Sequence, residues 1–127
     1  MNNKILETLE FDRIKGQLAQ YLVSAAGRRE LTQLVPQTDY EAVKELLTET
    51  TDGADILRLE DGIPIPQLAD IKPQLKRLKI KANLNGTELA QITKVLQTSM
   101  SVKNFFDQMR EKKIKLRVLT TQVDRLV

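Results

Sequence analysis

A chain of 127 residues with 41% apolar, 29% charged and 4% aromatic residues fits one helical domain with an aliphatic core, or a piece of a larger protein. Neither Cys nor His occurs, which excludes disulfides, thiolate chemistry, imidazole general bases and the common zinc sites. The net charge of +3 conceals opposed halves: residues 1–71 hold 7 Lys or Arg against 13 Asp or Glu, and residues 72–127 hold 13 against 4, giving −6 and +9. Such an imbalance fits either two halves that face one another or a segment that faces phosphates. The opening MNNKILETLEF lacks the apolar run of a signal peptide, and no stretch approaches the roughly 18 apolar residues of a membrane span, so the expected location is the cytoplasm.

In chain order, Asn2 or Asn3 caps a first helix in which Ile5, Leu6 and Leu9 share a face. From Asp12 the pattern continues through Ile14, Leu18, Tyr21 and Leu22 as a bent or interrupted amphipathic helix, with Gly16 the expected kink or close contact. Ser24 caps a short helix over about 25–34, and Gly27 inside it predicts close approach of another backbone. Pro36 separates that helix from the next, and Thr38 with Glu41 reads as a capping box. Ala42, Val43, Leu46, Leu47, Thr50, Ala54, Ile56 and Leu57 then form one apolar stripe, opposite Glu41, Glu45, Glu49 and Asp52.

Gly62, Pro64 and Pro66 predict a connection without helix, with Ile63 and Ile65 turned to the core. Asp70 caps a short helix through Leu75 and Leu78 that tolerates Pro73 in its first turn. Asn85-Gly86-Thr87-Glu88 starts a helix of more than 20 residues, whose stripe runs from Leu89 and Ile92 to Phe105, Phe106 and Met109. The apolar pattern resumes at Leu116 and continues to Leu126.

No glycine-rich phosphate loop is present, and Ser24, Ser99 and Ser101 lack a base, so no catalytic, cofactor-binding or metal-binding residue is assigned. Asp52, Asp55, Glu60 and Asp61 read as a solvated face, with a divalent-metal site as the lesser alternative. Phe105 and Phe106 read as core in preference to base-stacking residues. The candidate nucleic-acid-binding residues are Lys72, Lys76, Arg77, Lys79 and Lys81, a run with no acid between Asp70 and Glu88, together with Arg110, Lys112 and Lys113. Such residues contact phosphates and carry no sequence readout.

Four blocks, ILETLEFDRIKGQLAQYLVSAAGR, LVPQTDYEAVKELLTETTDGADILRL, GIPIPQLADIKPQLKRL and LNGTELAQITKVL, occur in an order and spacing that resembles the N-terminal core region of the bacterial second-type MutS proteins (MutS-two). The resemblance covers roughly residues 4–110. It implies an all-α, multi-helical bundle like the MutS core domain, with a core over 1–84 and, over 85–127, a long helix leading toward a lever and clamp. It further implies a connector that couples an ATPase to a nucleic-acid clamp in a protein that suppresses homologous recombination. Implied partners are branched or structured DNA, the collided ribosome with its rRNA, and a second subunit in a homodimer. ATP and Mg, and a C-terminal Smr endonuclease domain, are expected elsewhere in the full-length protein. The alternative is a helical protein–protein interaction module without nucleic-acid contact.

Overall fold

The computed structural model describes residues 2–112, 116 and 119–126. Seven helices lie among them: α1 (Asn3–Thr8), α2 (Phe11–Ala19), α3 (Ala25–Gln33), α4 (Tyr40–Glu60), α5 (Lys72–Lys79), α6 (Gly86–Glu111) and α7 (Leu119–Val123). The all-α expectation holds: the described residues contain no sheet, only a single parallel bridge between Ser24 and Leu68.

Local chemistry explains most of the helix starts. Asn2, Ser24, Asp39 and Asn85 each accept a backbone N–H of the first turn that follows, satisfying a donor that has no partner within the helix. Asn85 and Glu88 form a reciprocal capping box at the start of α6, at the place the sequence indicates. At α4 the cap moves by one residue: Asp39, not Thr38, binds Ala42 N at 2.9 Å. A carboxylate is the better group there, since it also complements the positive end of the helix dipole.

Two glycine expectations change as well. The break between α1 and α2 falls at Glu10, whose backbone is left-handed at φ 51°, while Gly16 lies inside α2 with open space around it. What crowds Gly27 is local, not a second backbone: a Cβ there would meet the capping hydroxyl of Ser24 at 3.2 Å.

The buried core sits where α4, the second half of α6 and α7 converge, and consists of Ile56, Val102, Phe106, Met109 and Val123. Thr98, Val102, Phe106 and Met109 follow one another at helical spacing and give α6 a single inward stripe. Phe105 packs on this cluster edge-on to Phe106, with ring centroids 5.6 Å apart, so both rings belong to the core as expected. Ile63 joins the cluster, whereas Ile65 stays 42% exposed. The long helix expected over 85–127 closes at Glu111, and α7 returns to pack on α6 and α4.

A second buried residue of α4 holds that return in place. Asp52, 1% exposed, accepts a hydrogen bond from Leu119 N at 3.2 Å, and the neighbouring Glu49 accepts one from Gln122 Nε2. The acidic run expected to be solvated therefore turns Asp52 inward. The first backbone donor of α7 needs an acceptor, and the buried Asp52 carboxylate supplies one. The chain exposes 9899 Å², against about 6,900 Å² for a compact monomer of this mass, so much apolar surface lies uncovered.

Candidate nucleic-acid interface

Within α5 the spacing of four and then three places Lys72, Lys76 and Lys79 in one row along the helix. Gln74 and Arg77 occupy the other side, where Gln74 pairs with Gln91 and Arg77 with Glu88, both on α6. The lysine row is thereby directed away from α6, and all three ammonium groups are on exposed residues. None of the three forms an ion pair with a carboxylate among the described residues.

The turn after α5 adds Lys81. Lys81 N donates to Leu78 O and Ala82 N to Arg77 O, the paired bonds of a Schellman motif that requires a left-handed residue at Lys81. Its φ is 58°, a conformation that costs a side-chain-bearing L-residue about 1 kcal/mol and that glycine adopts freely. A lysine at a glycine position places a cation at the end of the helix, where the dipole favours it, at the expense of backbone strain.

The remaining predicted cations fall elsewhere. Arg77 is half-buried against Glu88. Arg110 bonds both Asp107 and Asp124, and the Asp124 hydrogen bond raises its pKa further above the ordinary guanidinium value. Lys112 pairs with Glu60 of α4 at 2.7 Å, the one ion pair among the described residues that joins the acidic half to the basic half. Lys113 lies outside the described residues. Glu88 and Arg110 are separated by about 33 Å of helix, so the α5 lysines lie at one end of α6 and Arg110 with Lys112 at the other.

Lys94, outside the predicted cluster, is exposed on α6 and lines a shallow depression with Gln67, Leu68, Ala69 and Gln91. It too lacks a carboxylate partner among the described residues. A lone lysine in a neutral stretch gives no local signal in the sequence.

Asp70 anchors the start of this region. Its carboxylate accepts from Lys72 N at 3.0 Å and pairs with Arg29 of α3 at 2.7 Å. These contacts, the backbone bond first, hold its pKa below the usual aspartate value. Through Arg29–Asp70 and the Ser24–Leu68 bridge, α3 fixes the segment that enters α5. Among the described residues no group of three acidic side chains is arranged to hold a metal ion, and no helix is long and apolar enough to cross a membrane. The arrangement presents exposed cations along one face of a helix, a pattern that can meet phosphates without base readout.

No protein-family model matches the chain. Individual proteins do. Over all 127 residues it is 53% identical to the protein named Endonuclease MutS2 of Levilactobacillus brevis and covers 16% of that protein. It is 50% identical over 111 residues to Endonuclease MutS2 of Lactiplantibacillus plantarum, covering 14% of it, and 43% identical over 127 residues to Endonuclease MutS2 of Pediococcus pentosaceus, covering 16%.

Proposed function

For a chain that belongs to the MutS2 family, as its N-terminal region, and spans about a sixth of its relatives' length, we propose a helical core and connector that carries a phosphate-contacting row of its own. The row is Lys72, Lys76 and Lys79, extended by Lys81 and Lys94. The observation that carries the reading is that none of these lysines forms an ion pair among the described residues, while Arg77, Arg110 and Lys112 are each held by a carboxylate. Unpaired cations release counterions when they meet phosphate, whereas paired ones must first break an ion pair. The target is DNA, branched or structured, in the cytoplasm; rRNA of a collided ribosome is the second polyanion of the same chemistry.

In this reading the compact α4–α6–α7 core transmits the state of an ATPase, with its ATP and Mg, from the rest of a homodimeric protein to the strands it holds. Suppression of recombination and endonuclease activity are proposals for that whole protein, outside the chemistry of these residues. The second reading, an interaction module without nucleic acid, draws on the uncovered apolar surface.

Fluorescence anisotropy of a labelled branched duplex at low salt tests the proposal. Binding is expected to be weak and to fall steeply with salt, and Lys72→Glu with Lys76→Glu is expected to flatten the salt slope by about 2. Lys81→Gly separates charge from folding: it relieves the left-handed strain and stabilises the chain by up to about 1 kcal/mol, yet weakens binding. Salt-independent binding, or a double Glu variant that binds like the parent, overturns the reading.

A further inference from the structure

We propose that the outer face of α4 is a coiled-coil seam for a separate amphipathic helix that carries acidic side chains along one flank. The seam is formed by Tyr40, Val43, Leu47, Thr50, Ala54 and Leu57, whose separations alternate three and four residues. That alternation is the repeat by which two helices interlock side by side. It extends over about 26 Å of helix. Tyr40, Leu47 and Leu57 are 73%, 64% and 64% exposed, while Ile56 on the opposite face is 1% exposed. The chain's own packing thus uses the face that carries Glu49, Asp52 and Ile56 and leaves the regular apolar seam uncovered.

The two margins of the seam state what kind of helix fits. On one side stand Lys44, Thr51 and Arg58; Lys44 has no carboxylate partner among the described residues, and Arg58 shares its charge with Asp55 at 3.0 Å. On the other side stand Asp39, Leu46, Gly53 and Glu60; the two terminal acids are engaged, Asp39 with Ala42 N and Glu60 with Lys112, and between them Phe11, Leu34 and Val35 join Val43 and Leu46 in an apolar groove of about 300 Å³. Open space surrounds Gly53, so a partner backbone can approach closely beside Ala54. The occupant therefore needs an apolar seam, an acidic margin toward Lys44 and Arg58, and an apolar margin toward the groove.

A second copy of α4 meets these demands poorly. Antiparallel pairing sets Lys44 against Arg58 and Asp39 against Glu60, like charges in both rows. Parallel pairing stacks Thr50 on Thr50 and Ala54 on Ala54, two consecutive layers that fill the seam with hydroxyls and voids. A different helix, with large apolar residues opposite Thr50 and Ala54, avoids both faults.

The probe is a labelled synthetic three-heptad peptide with Leu at the seam positions and Glu along one margin, titrated into the 127-residue chain. A control peptide carries Lys in place of Glu. Saturable binding of the Glu peptide is expected, at least about tenfold tighter than that of the Lys peptide, and Lys44→Glu is expected to reverse the preference. Leu47→Asp with Leu57→Asp should abolish binding; both side chains face solvent, so an unchanged circular dichroism spectrum is expected alongside. Equal affinity for the two peptides, or no binding of either, overturns the proposal. Sedimentation showing that the chain alone dimerises, with the dimer lost in Leu47→Asp, overturns it in favour of a second copy. The seam is on α4 and the lysine row on α5, so peptide binding and duplex binding can fail independently.

Discussion

Ile56 and Leu57 are adjacent, isomeric and helical, yet they point about 100° apart around α4, at 1% and 64% exposure. Truncating each to Ala is therefore a controlled comparison of burial at constant chemistry. Ile56→Ala removes methyl and methylene groups from the cluster it forms, among the described residues, with Val102, Phe106, Met109 and Val123, and leaves a cavity among them. The expected loss is about 2–5 kcal/mol, which takes a large share of the stability of a domain of this size. Leu57→Ala removes the same atoms from solvent-facing surface, and Ala is the better helix former, so the expected change stays within about 0.5 kcal/mol. Urea unfolding followed by circular dichroism reads both: at a slope of about 1–3 kcal/mol per molar, the Ile56 variant should shift the midpoint down by one to a few molar, and the Leu57 variant hardly at all. Should Ile56→Ala fail to fold, Ile56→Val, at about 0.5–1.5 kcal/mol, preserves the comparison. Equal shifts for the two positions would refute the assignment of the core face of α4, and with it the exposure of the seam.

Two further tests follow from local contacts. Asp39→Ala should cost about 1 kcal/mol through loss of the Ala42 N–H bond, while Thr38→Ala should leave the urea midpoint unchanged; the reverse result would restore Thr38 as the cap. Asp70 has a folded pKa below its unfolded value, so its contribution is fully present above about pH 4 and fades as pH falls through the folded pKa. Asp70→Asn keeps an oxygen for Lys72 N and removes the charge that faces Arg29, so the parent's stability advantage over it should shrink as pH falls below about 4; an advantage independent of pH would exclude the carboxylate charge as the cause.

What the residues by themselves determine is the set of short-range choices. Asn2, Ser24 and Asn85 cap the helices expected of them, Pro64 and Pro66 keep the chain between α4 and α5 non-helical, and Asn85 with Glu88 sets the start of α6. Each depends on groups within about four residues of one another, which a linear reading can see. The four sequence blocks likewise identify the family without any coordinates.

Tertiary structure alone decided which face of α4 turns inward. Its apolar residues spread over more than half its circumference, and apolar burial is non-directional, so the periodicity ranks Ile56 and Leu57 alike. The inward face is the one whose Asp52 meets Leu119 N, a partner 67 residues away. The same holds for the cations. Eight were indistinguishable in the sequence, but the return of α7 brings Asp124 to Arg110, the approach of α4 brings Glu60 to Lys112, and the docking of α5 on α6 brings Glu88 to Arg77. Which charges remain available to a partner is settled by which carboxylates arrive beside them, and those arrive through packing between elements, from positions 11, 14 and 52 residues away in the chain.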